Sequence, residues 1–587
     1  MRRVAASLAL VAAASRAATV PNVLTLLVDD SGWGDWQVNG LPSPGPALTP
    51  HVLEMSRASS TVVFSRFYIG GSVCSPTRSS VLTGRTPSRE CIINVEQNAL
   101  PALLNSSTTA SAMRAVGGVS AFFGKWHLGS LTNATSPNCY PATASNGTCT
   151  TGYIVEKGGL CCDGRDAHVA VAPPTLFGFD SARATSQVSP SATANCGCWA
   201  TTPGGGVDCE LGHYAGPGGH NGAQPWLECD AYLATQDQQE QPAELAVGAE
   251  GPAPAAMTSV RAVTPVDDAA YLVDGLERFV RSAVAAGKPW HAQVSFHQTH
   301  IPYIAPPAFR ALYPNATANE ADYWGATSAV DAQVGRIRAL LRELAIETNT
   351  LVSLHADNGP ELSTGGHDAT AFPNPGSTGG LLGRKRALTE GGIRVVGLVE
   401  YPALVTANRV ETEYATSSMD LLPTLRELVG APPEPLGLVV DGESLVPYLR
   451  GATANRSKPI GHLSDFAWIT GAPECGNGTG VACLACSDRA RQAPPSYVPA
   501  TFTPPFGQLQ VAWTEGRLKL FGCHASPNDW RFGLFDVVAD RGEAADLWPA
   551  LGATVGDAMF TRMLAWHASV RASVANETGC TVGARTL

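Results

Sequence analysis

The sequence predicts an α/β fold: a large, mainly parallel mixed sheet flanked by helices, with a smaller C-terminal antiparallel sheet. Three observations predict it. Short apolar runs alternate along the chain with stretches of helical periodicity, as in a parallel sheet covered by helices. Several strand-like runs, one of them continuously apolar, end where polar clusters begin. After about residue 450 the texture changes to short strand-like runs separated by turns.

Taken in order, Val23-Leu-Thr-Leu-Leu-Val28 is a run with no polar face, as expected of a strand buried on both sides, and Asp29-Asp30 follow at once. Ala121-Phe-Phe123 leads into Gly124-Lys-Trp-His-Leu-Gly129. Asp267 to Ala286 carries Leu272, Val273, Leu276, Phe279, Val280 and Val284 at helical spacing, and Trp290 to Phe296 then leads into His297-Gln-Thr-His-Ile-Pro302. Asn319 to Ile346 again reads as helix, before Thr350 to Leu354 leads into His355-Ala-Asp-Asn-Gly-Pro360. Ser417 to Val429 is a further helix. In open α/β sheets a site gathers at the carboxyl ends of the strands, where all four polar clusters fall. Residues 130–260 are rich in Gly, Pro and Cys without sustained periodicity, which predicts a disulfide-stapled insertion. Gln508 to Trp513, Arg517 to Phe521 and Gly533 to Val537 are the strands of the C-terminal sheet. The expected division is a leader at 1–18, a main domain at 19–450 with the insertion at about 130–260, and a small α+β domain at 451–587.

Composition bounds the partners and the compartment. Of 587 residues, 44% are hydrophobic and 15% charged, enough for a sizeable core. A net charge of −11 removes the electrostatic case for nucleic acid. Met1 to Ala18, with two Arg, an Ala/Leu/Val run and Ser15-x-Ala17, reads as a secretory signal peptide. Sequons at Asn105, Asn133, Asn146, Asn315, Asn455, Asn477 and Asn576, and a total of 15 Cys, agree with the secretory pathway and an extracellular or lysosome/vacuole-like destination. Apart from the leader, no stretch is apolar for long enough to span a membrane. Setting Cys74 aside leaves an even number of cysteines for disulfides. Cys196-x-Cys198 and Cys483-x-x-Cys486 lack the second Cys or His pair of a zinc site, so disulfide pairing is the better reading of both.

The chemistry centres on Val73-Cys-Ser-Pro-Thr-Arg-Ser-Ser-Val-Leu-Thr-Gly-Arg85. From Ser75 it reads as a helix start, with Ser at the cap, Pro in the first turn and Gly84 near the end. Cys74 then lies at a helix N-terminus, where backbone N–H groups favour anions, and Arg78 lies one turn on. On these residues alone, an ordinary buried or disulfide-bonded cysteine is the plainer reading. Asp29, Asp30, Asp357 and Asn358 supply hard oxygen ligands from two strand ends, suiting Ca²⁺ or Mg²⁺. An Asp-Asp pair by itself is more often a solvated turn; a second strand ending in Asp-Asn-Gly favours the cation. Lys125-x-His127 and Arg384-Lys385-Arg386, each alone, are read as a surface turn and a solvated charged face.

Together these motifs resemble the sulfatase family. Cys74-Ser-Pro-Thr-Arg78 matches its Cys-x-Pro-Ser-Arg signature with Thr77 in the Ser position, and Gly124-Lys-Trp-His-Leu-Gly129 matches its second signature. The similarity extends from Asn22 to about Leu547, leaving the cysteine-rich insertion without a general counterpart. It implies an alkaline phosphatase-like fold and hydrolysis of sulfate esters to inorganic sulfate and an alcohol or phenol. It further implies that a formylglycine-generating enzyme converts Cys74 to formylglycine, an aldehyde whose hydrate is the nucleophile. A metal, usually calcium, would lie on Asp29, Asp30, Asp357, Asn358 and residue 74. Arg78, Lys125, His127, His300 and Lys385 would complete the site; His297 is a second claimant beside His300, as are Arg384 and Arg386 beside Lys385. The expected substrate is a sulfated small molecule or carbohydrate. A phosphoester hydrolase on the same fold, or a secreted binding protein without turnover, are the competing readings. Against the first stand Cys74 and the scarcity of His among the Asp clusters.

Overall fold

The computed structural model describes residues 20–39, 46–95, 99–129, 172, 174–185, 234–235, 268–300, 305–362, 374–464, 510–526 and 529–577. The signal peptide expected at 1–18, most of the insertion expected at 130–260, and Cys475, Cys483, Cys486 and Cys580 lie outside them.

In chain order the strands are β1 (Asn22–Val28), β2 (Thr61–Phe64), β3 (Phe67–Tyr68), β4 (Val119–Lys125), β5 (Ser181–Thr185), β6 (Ala234–Thr235), β7 (Trp290–Ser295), β8 (Thr350–Ala356), β9 (Arg394–Val395), β10 (Gly397–Glu400), β11 (Arg409–Glu411), β12 (Thr416–Ser417), β13 (Ile460–Ser464), β14 (Gln510–Glu515), β15 (Leu518–Ser526) and β16 (Asp529–Asp536). The principal helices are α1 (Pro50–Arg57), α2 (Cys74–Thr83), α3 (Thr109–Arg114), α4 (Asp268–Ala285), α5 (Ala318–Glu343), α6 (Leu421–Val429) and α7 (Asp557–Glu577).

Nine strands form the main sheet in the order β11-β2-β10-β8-β1-β7-β4-β5-β6. The run β8-β1-β7-β4-β5 is parallel throughout, while β10 is antiparallel to both of its neighbours. Every residue of β1, β4, β7 and β8 is buried; most are apolar or small, and a buried polar exception such as His291 is hydrogen-bonded inside, to the Val23 carbonyl and Thr109 Oγ1. α4 places Leu272, Val273, Leu276 and Val280 in the same core as the sheet residues Leu24, Leu26 and Val294. α5 starts at a capping box, with Thr317 Oγ1 accepting from the Glu320 amide and the Glu320 carboxylate accepting from the Thr317 amide. Its Asp331 accepts from the His51 and Val52 amides at 3.0 and 2.7 Å, filling the exposed donors at the start of α1. A small sheet, β12-β3-β9, leads into α2.

The C-terminal sheet, β13-β14-β15-β16, is antiparallel throughout, as expected from the change of texture. One face packs on α7 through Leu463, Trp513, Leu534, Met559 and Met563. It joins the rest of the protein by buried ion pairs. Lys519 Nζ lies 3.0 Å from Glu390 and 3.2 Å from Glu543, and the Glu390 amide donates to Glu543 at 2.9 Å.

Two expectations need correction. Ser181–Thr185, inside the expected insertion, is a strand of the main sheet, parallel to β4. Its Ser-Ala-Arg-Ala-Thr sequence has no apolar run, yet Ala182 and Ala184 are small enough to bury against the cluster of Phe122, Trp126 and Phe179. Second, α2 starts at Cys74 rather than after a Ser75 cap. Val73 is the extended residue before it (φ −149°), and its carbonyl accepts from the Thr77 amide. Gly84 ends the helix in the left-handed conformation, φ 67°, which a side chain would strain. Elsewhere the differences are of a few residues: β8 continues through His355 and Ala356, and α6 begins at Leu421 after a short 3₁₀ turn, Ser418–Asp420.

Candidate active site

Register brings the polar clusters together. Because β1 and β8 pair in parallel, with Val28 opposite Ala356, Asp29-Asp30 and Asp357-Asn358 leave the sheet at the same edge. On the other side of β1, Gly124 of β4 pairs with Ser295 of β7, so Lys125 and the segment carrying His297 and His300 emerge there too. Adjacent residues of a continuing strand would point to opposite faces. Asp30 instead turns left-handed (φ 51°), a conformation that Asp tolerates better than most residues, and both carboxylates turn into one cluster.

At its centre is Cys74, the first residue of α2, buried and free. Cys91 and Cys523, the other two cysteines with described side chains, are disulfide-bonded. The Cys74 thiol lies 3.4 Å from Asp29 Oδ1 and 3.8 Å from Asp30 Oδ1, and Lys125 Nζ approaches its sulfur at 3.5 Å. Lys125 Nζ also donates to Asp29 Oδ2 at 2.6 Å. Arg78, one turn along α2, donates to Asp357 Oδ2 at 2.6 Å and to the Lys125 carbonyl at 2.7 Å. Thr77, in the signature position, donates to the Gly71 carbonyl at 2.8 Å and ties the first turn of α2 to the loop before it.

Lys385 approaches from the opposite flank. Its Nζ donates to Asp30 Oδ2 at 2.6 Å, and His300 Nε2 lies 3.8 Å from the same oxygen. The neighbours of Lys385 point elsewhere: Arg384 donates to the carbonyls of Glu361 and Gly376, and Arg386 pairs with the Glu361 carboxylate. Lys385, of the three cations, is therefore the one that reaches the carboxylate cluster. His127, two residues past Lys125, is partly exposed and left-handed, φ 57°. His297 is buried, 5% exposed, whereas His300 borders the cluster at Asp29 and Cys74. Glu361 was not singled out from the sequence. Its position three residues after Asn358 was the available signal.

The electrostatics follow from burying several like charges together. Burial, with the Asp357 charge behind it, pushes Asp29 up to about 7 despite Lys125 and Arg78. Asp30 is also raised by burial, with Lys385 opposing. Burial would raise Asp357 as well, but Arg78 and Lys125 outweigh it and hold that carboxyl below its ordinary range. Burial and the Asp29 and Asp357 charges push the Cys74 thiol well up, so the unmodified sulfur is a neutral thiol and a poor nucleophile.

Ligand atoms of Asp29, Asp30, Cys74 and Asp357 lie within 4.8 Å of one another, as do those of Asp29, Cys74 and His300. Asn358 donates from Nδ2 to Asp30 Oδ1 at 2.6 Å, leaving its buried Oδ1 with no hydrogen-bond partner among the described residues. Three carboxylates and an orphaned amide oxygen form a donor set that fits a hard divalent cation.

A family model described as Sulfatase matches residues 21–431. N-acetylgalactosamine-6-sulfatase of Canis lupus familiaris is 28% identical over 444 residues, covering 73% of this chain and 66% of that protein. Steryl-sulfatase of Rattus norvegicus is 28% identical over 478 residues, covering 78% of this chain and 76% of that one. Arylsulfatase A of Homo sapiens is 26% identical over 446 residues, covering 75% and 70%. Among solved structures, the PsFucS1 sulfatase from Pseudoalteromonas sp. superimposes with a TM-score of 0.59 at 19% identity, covering 95% of this chain and 91% of that one. Ps i-CgsB in complex with k-i-k-neocarrahexaose gives 0.58 at 18% identity, covering 93% and 92%. These structural likenesses speak for the fold, which is alkaline phosphatase-like.

Proposed function

This chain belongs to the sulfatase family, and from that premise we propose that it hydrolyses sulfate esters of a small molecule or carbohydrate, releasing inorganic sulfate and an alcohol or phenol. The observation that carries the reading is Cys74 at the start of a buried helix, held among Asp29, Asp30 and Lys125, with Arg78 on the adjoining carboxylate. Cys74 is the residue to be converted to formylglycine by a formylglycine-generating enzyme; its hydrated aldehyde supplies the attacking oxygen that the neutral thiol does not. Asp29, Asp30, Asp357, Asn358 and residue 74 would hold Ca²⁺, or Mg²⁺ in its place, which would offset sulfate charge.

The remaining residues divide by flank. Lys125 and Arg78, on the Asp29 and Asp357 side, hold the negative charge that spreads over the sulfuryl oxygens. His300 and Lys385, both on Asp30 Oδ2, deliver a proton to the departing alkoxide or phenoxide. His127 accepts a proton as sulfate is released. The phosphoester alternative is weaker, because the described clusters include a single histidine, His300, where two zinc ions would call for several.

Carbohydrate is favoured as one substrate class by neighbours described in complex with k-i-k-neocarrahexaose and with D-glucosamine-2-N,6-O-disulfate. Entry into the secretory pathway is supported by Asn105, Asn315 and Asn455, each a sequon on an exposed position. No helix among the described residues is long and apolar enough to cross a membrane. The functional test is sulfate release by Cys74→Ser beside the wild type. A serine hydroxyl attacks but cannot eliminate as a hydrate does, so the variant is expected to stop after at most one turnover. Sustained turnover by it contradicts the aldehyde chemistry.

A further inference from the structure

Glu361 holds a place that the proposed chemistry leaves unused. Its carboxylate is buried, 5% exposed, and faces two cations: Arg386 pairs with both of its oxygens, and Lys385 Nζ lies 3.4 Å from Oε2. The Leu362 amide donates to Oε1 at 2.9 Å. Burial alone would raise this carboxyl's pKa, but the Arg386 and Lys385 charges outweigh it and keep the group ionised.

The backbone around Arg386 is constrained in the same direction. Arg386 is left-handed (φ 78°), a strained conformation for a long side chain that persists only where neighbours enforce it. Three contacts do so besides the Glu361 pair. The Arg386 amide donates to the Ser72 carbonyl at 2.8 Å, two residues before Cys74, and the Arg386 carbonyl accepts from Gln510 Nε2 of β14 at 3.0 Å. The Lys385 amide donates to the Pro360 carbonyl at 3.0 Å. Lys385 is thus fixed by its backbone to the segment carrying Asp357 and Asn358, and through Arg386 to the loop before Cys74.

We infer that Glu361 is a positioning residue: clamped by Arg386, it holds the Lys385 ammonium on the His300 flank of the cluster and aims it at the oxygen that leaves with the alcohol. This rests on the sulfate-ester reading above. Without the Glu361 charge, the Lys385 ammonium keeps its 2.6 Å contact to Asp30 Oδ2 but loses the second carboxylate, 3.4 Å away, that fixes its direction toward the leaving oxygen.

The test compares wild type, Glu361→Gln and Glu361→Asp on 4-nitrophenyl sulfate and phenyl sulfate, esters of similar shape whose leaving groups differ in their need for a proton. Misplacing one positioned group by about 1 Å costs on the order of 100-fold. Glu361→Gln is therefore expected to lose roughly 100-fold in kcat on phenyl sulfate and roughly 10-fold or less on 4-nitrophenyl sulfate, with KM little changed. Glu361→Asp should recover part of the difference. A purely structural role lowers the active fraction and so cuts both esters by one factor; equal losses, or none, overturn the inference. If Glu361→Gln fails to melt cooperatively, Arg386→Lys carries the same prediction, since it keeps the charge and removes the fork. A wild type that releases sulfate from no ester sinks the underlying reading instead, and the inference with it.

Discussion

His291 offers a quantitative test of how the sheet carrying the site responds to acid. It sits in β7, fully buried, with Nδ1 3.2 Å from the Val23 carbonyl and Nε2 3.0 Å from Thr109 Oγ1. Burial pushes its pKa down to about 4, so the folded protein keeps it neutral. In the unfolded chain the same side chain has its ordinary value, about 6.5. Between these values the unfolded state binds a proton that the folded state refuses, and stability falls as pH falls. From pH 7.5 to pH 5.0 this one group removes ~2 kcal/mol of stability, from 1.36 kcal/mol for each of about 1.5 pH units below 6.5. His291→Gln keeps a hydrogen-bonding side chain and has no proton to lose or gain. Equilibrium denaturation of both proteins at the two pH values gives the double difference, in which other buried histidines such as His462 cancel. The variant is expected to be about 1–2 kcal/mol less stable at pH 7.5, from imperfect replacement of two buried hydrogen bonds. Its loss on going to pH 5.0 should be smaller than the wild type's by ~2 kcal/mol. An unchanged acid response in the variant refutes the argument.

Three further outcomes follow from the same structure. Gly359→Ala places a methyl group on the Gly391 carbonyl oxygen, a backbone atom that cannot swing aside. It should cost about 1–3 kcal/mol in denaturation midpoint and displace the neighbouring Asn358, lowering Ca²⁺ affinity as read by calorimetry. Lys519→Met removes the buried cation shared by Glu390 and Glu543 and should destabilise by about 3–5 kcal/mol, with Lys519→Arg closer to wild type. Dialysis against a calcium chelator should lower the melting temperature and abolish sulfate release, with both restored by Ca²⁺; an unaffected melting temperature would count against the ion at Asp29, Asp30 and Asp357.

What the sequence revealed depended on whether a residue's role leaves a local pattern. Strand-length runs ending abruptly at polar clusters, continuously apolar in β1 but alternating with His291, Gln293 and Ser295 in β7, made β1, β7 and β8 legible, and with them the edge to which Asp29, Asp30, Asp357 and His300 belong. β5 was not, because its burial rests on two alanines and on Arg183, whose guanidinium stacks 4.2 Å from the Tyr271 ring of α4. Choosing among Arg384, Lys385 and Arg386 required knowing where three adjacent side chains point. Glu361 was hidden for the same reason: its partners lie 24 and 25 residues away in sequence, a separation that no periodicity bridges. The cap of α2 lies two residues earlier than expected, because Val73, with no side-chain cap of its own, takes the place that the sequence assigned to Ser75.

The central claim is that Cys74 works as formylglycine, and mass spectrometry of the tryptic peptide Phe67 to Arg78, from protein made in its native host and shown to release sulfate, tests it most directly. The account predicts a peptide lighter by the change from thiol to aldehyde. An intact thiol throughout an active preparation would contradict it.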